Sequence, residues 1–228
     1  MQPMSRGPQR LARPSLLLAA TFMALLALAI GPVAHPAPAS ASTATTMEAN
    51  IVSWINSNYS EFGSGVVVKG MGFPLQNRGA LFVLDPKHPN VLAGHKRPYH
   101  TIIPAFMEKG DQHIGFGIMG GANQPLAHAQ FVSNLVDYGM NVQAALSAPR
   151  FTVGRGDLCH IPIESRVKPE VIDALRARGH NLEVRKEYTS LMGRGQAVLH
   201  DSSRKMNFGA SDPRADGSAE PEPPELPQ

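Results

Sequence analysis

The hydrophobic and polar positions divide the chain into stretches of different period. Residues 101–107 and 113–119 are strand-like runs on either side of Glu108-Lys109-Gly110-Asp111, the signature of a β-hairpin. After Pro125 the period changes. Leu126, Ala129, Val132, Leu135 and Val136 recur at helical spacing, and Gly139 ends the pattern. Asn141 is placed to cap a short helix running through Leu146. Pro169 suits the first turn of another helix, with Val171, Ile172 and Leu175 on its apolar face and Gly179 at its close. Residues 196–200 and 206–210 predict two strands around Asp201-Ser202-Ser203-Arg204. Upstream, residues 50–56, 63–68 and 81–84 are shorter strand candidates, the last stopped by Asp85-Pro86. No internal repeat is visible. The class is α+β, with antiparallel sheet beside helices.

The longest apolar run, residues 16–30, belongs to none of these elements. Arg6, Arg10 and Arg13 precede it, Gly31-Pro32 ends it, and Ala39-Ser40-Ala41 follows as a small-residue cleavage site. The run falls short of the ~20 apolar residues of a comfortable membrane span. Residues 1–41 therefore predict a signal peptide and an exported, periplasmic or extracellular protein, an uncleaved anchor at 16–30 being the alternative. Residues 42–47 continue as a linker, 48–214 form the folded body, and 215–228 are a Pro- and Glu-rich tail expected to be disordered. The formal net charge is +3. Those three arginines, in a stretch without Asp or Glu, account for the excess, so no nucleic-acid surface is expected. Cys159 is the one cysteine, so the fold uses no internal disulfide. It is expected to be a plain thiol, buried or half-exposed.

Several motifs invite chemistry. Residues 115–120 spell G-x-G-x-x-G, with Asp137 downstream, but Asp137 falls inside the predicted helix and no βαβ unit follows. A lone match of this kind does not support a dinucleotide. Gly120-Gly121, between strand and helix, suits either a tight turn or backbone N–H groups aimed at a developing negative charge. The nine histidines show no metal-ligand spacing, and no metal or cofactor is expected. Phe62 breaks the nucleophile-elbow pattern around Gly63-Ser64-Gly65, so a conventional serine triad has no support.

Six stretches taken together resemble the small subunit of gamma-glutamyltransferases. They are Asn56-Ser57-Asn58-Tyr59 with Phe62-Gly63-Ser64-Gly65, then Gly72-Phe73-Pro74-Leu75-Gln76-Asn77-Arg78-Gly79, then Lys96-Arg97-Pro98-Tyr99-His100-Thr101-Ile102-Ile103-Pro104. Met119-Gly120-Gly121, Ala148-Pro149-Arg150-Phe151 and Gly209-Ala210-Ser211-Asp212-Pro213-Arg214 complete the series. The match begins near Met47 to Asn50. Asn-Arg-Gly-Ala and Pro-Tyr-His-Thr look most like the divergent bacterial branch that includes cephalosporin-acylase-like members.

The resemblance implies an αββα sandwich of N-terminal-nucleophile hydrolases, made by self-cleavage of a proenzyme. A new N-terminal threonine attacks a gamma-glutamyl or related small-molecule amide, its own amine acting as base. The acyl group passes to water or an amino acceptor. By position, Gly120 and Gly121 would form the oxyanion hole. Ser57, Tyr59, Arg78, His100 and Thr101 would fall in the substrate pocket, and Leu81 stands where typical members have an aspartate for the substrate's α-amine. Ala39 stands at the register of the threonine, so no nucleophile is found. The large subunit and the nucleophile strand are likewise not matched, leaving a partial sandwich with an exposed sheet edge. Cleavage after Ala41 would expose Ser42, which is out of register with the threonine. The reading is a gamma-glutamyltransferase-like chain inactive alone. The alternatives are a small subunit completed by a large-subunit partner, or a secreted binding protein.

Overall fold

The computed structural model describes residues 50–154 and 156–221. The expected signal peptide, the linker, the Ala39 register and the last part of the tail lie outside the described residues.

The hairpin forms as β1 (Ala105–Lys109) and β2 (Gln112–Met119), joined at Gly110-Asp111. The two late strands form as β5 (Arg194–Asp201) and β6 (Met206–Ser211), and the antiparallel order is β1-β2-β5-β6. The register assigns each face. Ile114, Phe116 and Ile118 of β2 align with Leu199 and Ala197 of β5, and these with Phe208 and Ala210 of β6, on the buried face.

Against that face pack α1 (Gln124–Val136), with Pro125 in its first turn, and α2 (Val142–Ser147). The Asn141 side chain accepts a 2.8 Å bond from Ala144 N, the expected cap. Ala127, Phe131, Ala145 and Leu146 are fully buried, and the rings of Phe116 and Phe131 lie 4.9 Å apart. β1 stops pairing at Ala105, which would orphan the N–H of Ile118 beyond it. His128 of α1 fills the gap, its Nε2 accepting from Ile118 N at 2.9 Å.

The opposite face carries Gly115 and Gly117 on β2, Gln196 and Val198 on β5, and Gly209 and Ser211 on β6. Residues 50–57 cross it. A Cβ on Gly115 would meet Ile51 Cγ2 at 2.6 Å, and one on Gly117 would meet Ile55 Cδ1 at 3.2 Å. Ser53 Oγ donates to Phe116 O at 2.7 Å and accepts from Ala105 N at 3.3 Å. The expected strand at 50–56 is thus not a strand. Its alternation is real, with Ile51, Ser53 and Ile55 turned toward the sheet, but the backbone lies over a face, not along an edge. Residues 215–221 form no helix or strand, and Ala219 lies against Gly209 on the same face.

Residues 63–68 and 81–84 are not strands either. They form turns and a 3-10 helix at Arg78–Leu81, with single bridges Val67↔Pro74 and Val83↔Val91. Short runs between Gly and Pro find no neighbouring ladder to join. Conversely, β3 (His160–Glu164) and β4 (Asn181–Arg185) form a parallel pair that the sequence reading passed over. The predicted helix at Pro169, now α3 (Pro169–Ala177), connects them. Pro162 argues against a strand there because it lacks an N–H. Its carbonyl is what counts, accepting from Thr152 N at 2.9 Å. Cys159, just before β3, is exposed, not buried or half-exposed.

A buried ion cluster joins β3, β6 and the end of α2. Arg214 bonds Glu164 through Nε at 2.8 Å and Nη2 at 2.6 Å, and Asp212 through Nη1 at 2.9 Å. Arg150 Nη1 lies 2.8 Å from the other Asp212 oxygen. Both arginines also donate to the Leu146 carbonyl at the end of α2. Burial alone would raise the Glu164 carboxyl, but the bond from Arg214 and its charge outweigh this and hold it below the usual carboxylate range. Burial and the like charge of Arg214 lower Arg150, against the pull of Asp212.

Candidate active site

A cavity of about 750 Å³ opens on the glycine-bearing face of the sheet. Residues 52–57 form one wall, Thr101-Ile102 another, and the end of β2 with the Gly120-Gly121 turn a third. β5 closes it with Arg194, Gln196, Ala197 and Val198. Of the residues singled out from sequence, Ser57, Tyr59, Thr101, Gly120 and Gly121 all line this one space.

Local backbone explains why glycine occupies the turn. Gly121 has φ 61, the left-handed region that L side chains avoid. A Cβ on Gly120 would lie 3.1 Å from Gly193 Cα, because β5 enters its strand directly beneath. Gly193 is equally constrained, its φ being 83 and the nearest atom to a Cβ being Met119 O at 2.6 Å. Gly121 opens a 3-10 turn, Gly121–Asn123, so amides at its start have no partner within the turn. This geometry is compatible with a tight turn and with amides presented to an anion, the two readings the sequence left open.

Arg78 does not line the cavity. It is buried behind the wall, 4% exposed. Its Nη2 donates to Ser57 Oγ at 3.1 Å and its Nε to Thr101 Oγ1 at 3.3 Å. Its guanidinium carbon lies 5.6 Å from the centroid of the Tyr59 ring. Ser57 Oγ also accepts from Tyr59 N at 2.9 Å, and Tyr59 takes the left-handed φ of 76 that this turn requires. His100 stands apart. It is exposed, and the cavity wall begins at its neighbour Thr101.

Sequence reasoning missed Gln124. Asn123-Gln124-Pro125 reads only as a helix start, yet Gln124 lines the cavity and is 5% exposed. Its Nε2 donates to Thr101 O and, at 3.2 Å, to Gly121 O, tying the hydroxyl wall to the glycine turn. Beside it, Asn123 Oδ1 accepts from Thr152 Oγ1 at 2.7 Å. No group of three or more His, Cys, Asp or Glu among the described residues could hold a metal ion.

The sequence pattern of the gamma-glutamyltranspeptidase family matches residues 34–222, beginning upstream of the motifs that carry the resemblance. The glutathione hydrolase-like YwrD proenzyme of Bacillus subtilis is 38% identical over 198 residues, 84% of this chain and 38% of that protein. The chain therefore spans less than two-fifths of that relative. Its fold is similar to cephalosporin acylase from Bacillus halodurans, with TM-score 0.65 and 45% identity over 71% of this chain and 30% of that one. It is also similar to a chain of gamma-glutamyltranspeptidase from Pseudomonas nitroreducens, with TM-score 0.64 and 26% identity over 77% of this chain and 94% of that one. Sheet, glycine turn and hydroxyl wall thus lie within a fold shared with these enzymes, and the chain belongs to the gamma-glutamyltranspeptidase family.

Proposed function

We propose that residues 48–214 supply the acyl-donor pocket and the oxyanion turn of gamma-glutamyltransferase-type amide chemistry. The observation that carries this reading is the convergence of Ser57, Tyr59, Thr101 and the Gly120-Gly121 turn on one cavity. In it, the hydroxyls and Gln124 orient the acyl donor. The Gly120 and Gly121 amides receive the oxygen that becomes negative when the amide carbon is attacked. Attack then forms an acyl–oxygen bond on a threonine and releases the amine, and water or an amino acceptor later takes the acyl group.

The threonine register falls on Ala39, so residues 1–228 by themselves do not turn over. A partner carrying the large-subunit layers, and with them the nucleophile strand, would complete the αββα sandwich. The open sheet face and the exposed apolar side chains of residues 50–100 favour that reading over a free-standing binding protein. Export, followed by removal of residues 1–41, belongs to the same proposal.

The test is release of nitroaniline from a gamma-glutamyl nitroanilide by the purified chain, with N-terminal sequencing of the same sample. No turnover is expected, whatever the start of the chain. Turnover with a new N-terminal Ser or Thr would overturn the assignment of a missing nucleophile.

A further inference from the structure

At the end of β2 away from the Gly120-Gly121 turn, one row of the sheet carries four polar side chains in register. Glu108 of β1 is paired with His113 of β2, His113 with His200 of β5, and His200 with Asn207 of β6. The row lies about 20 Å along β2 from the turn, and none of the four residues lines the cavity. Both histidines are half-buried, with ring centroids 6.4 Å apart and ring planes inclined by 29°. They are remote in sequence and become neighbours only through the β2–β5 register, so no ligand spacing along the chain announces them.

The outer members of the row fix how the two rings are presented. His200 Nδ1 lies 2.8 Å from Asn207 Oδ1. An amide oxygen only accepts, so this nitrogen donates and carries the proton, and Nε2 of the neutral ring keeps its lone pair. His113 Nδ1 faces Glu108 Oε2 at 3.4 Å, and the carboxylate likewise favours the proton on Nδ1. In an imidazole, Nδ1 and Nε2 lie on opposite sides of the ring's long axis. The two Nδ1 atoms turn outward, toward β1 and β6, so the two Nε2 atoms turn inward, toward each other.

This is the presentation a metal-binding imidazole needs, with one nitrogen held by an oxygen acceptor that sets the tautomer and makes the other nitrogen more basic. Two rings sharing one ion at about 2.1 Å and a tetrahedral angle have centroids about 5 Å apart. The observed pair is wider by about 1 Å, which small χ adjustments of two half-buried side chains cover.

We propose that His113 and His200 form a two-imidazole site for a first-row divalent ion of the Zn²⁺ and Cu²⁺ class, with Glu108 and Asn207 as its outer partners. Mg²⁺ and Ca²⁺ take oxygen donors and do not suit it. Two protein donors leave the other coordination positions to water, so the ion exchanges, unlike that of a closed four-donor zinc site. The ion clasps the central pair β2 and β5, and the outer partners extend the clasp to β1 and β6. The site depends on neither the nucleophile nor the reading of the cavity.

The experiment is calorimetric titration of Zn²⁺ into the full, untagged chain, with the thermal unfolding midpoint measured with and without excess Zn²⁺. Binding is expected to raise the midpoint by at least about 2 °C, and EDTA to reverse the rise. His113→Gln and His200→Gln are each expected to weaken binding at least about tenfold and to abolish the rise, while the metal-free midpoint stays put. Should one of them fail to fold, the other carries the test. Asn207→Leu keeps both donors and must still weaken binding, a change that a chance pair of surface histidines would not show. No Zn²⁺ binding, binding undiminished in the histidine variants or in Asn207→Leu, or an equal rise with Mg²⁺ overturns the proposal.

Discussion

Residues 50–100 and residues 101–221 are built on opposite terms. Among the described residues, the buried apolar side chains all lie in the second stretch, from Ile114 to Ala210. In the first, Arg78 is the one buried residue, while Trp54 is 82% exposed and Phe62 79%. The second stretch closes its core with two helices on one sheet face and locks strand ends with ion pairs. The first closes nothing: it drapes over the other sheet face, where two glycines admit Ile51 and Ile55. Stability and chemistry are therefore divided. The 101–221 scaffold holds the glycine turn and the Thr101 hydroxyl still, and the 50–100 stretch brings the Ser57 hydroxyl and the buried Arg78 to them.

The sharpest way to break this division is to open the ion cluster. Arg214→Met removes three hydrogen bonds from a cation inside the protein, two on Glu164 and one on Asp212. The expected loss is about 3–5 kcal/mol of unfolding free energy, read by chemical denaturation. A loss below about 1 kcal/mol would mean that the cluster positions strands without holding them.

A smaller effect is expected from pH. Burial and the charge of Arg150 lower the pKa of His128 from its ordinary 6.5. The unfolded chain takes up that proton near 6.5, and the folded chain only at lower pH, because burial and the Arg150 charge disfavour the imidazolium. The His128 contribution is thus complete above 6.5 and is lost as pH falls from 6.5 through the folded value. Denaturation of wild type and His128→Gln between pH 7.5 and 5 checks the sign. Wild type should lose stability toward acid more steeply than the variant, whose amide oxygen does not titrate; equal slopes would remove His128 from the account.

The same division explains what the sequence made legible. Helix periodicity, the Asn141 cap and the Gly110 turn are local rules that the 101–221 scaffold obeys, so α1, α2, α3 and the hairpin stand where the pattern puts them. β3 and β4 escaped because parallel pairing is non-local and Pro162 interrupts the strand-like pattern of residues 160–164. In 50–100 an alternating pattern reported correctly which side chains turn inward, and wrongly suggested a strand, since alternation fixes a face but not a partner. The motif around Arg150 and the one around Asp212-Pro213-Arg214 carried the family resemblance, yet they meet in the ion cluster and not in the cavity. Arg78 was legible as a site position, but its place behind the wall was not, because burial of a cation is set by tertiary contacts. Gln124 left no signal beyond the helix start it also serves.

The smallest expected effect tests the draped stretch directly. Trp54 is the chain's single tryptophan and sits between Ile51 and Ile55 with its ring turned away from the sheet. If residues 50–100 contribute little to the core, Trp54→Ser should change unfolding free energy by no more than about 0.5 kcal/mol, the range of ordinary surface substitutions. In the unsubstituted chain the same residue should emit at the long wavelength of a solvated indole and be quenched freely by acrylamide. A blue-shifted, protected emission, or a loss above about 2 kcal/mol on substitution, would show that something already covers this face. The division would then move upstream of residue 50, with the 50–100 stretch counted as scaffold.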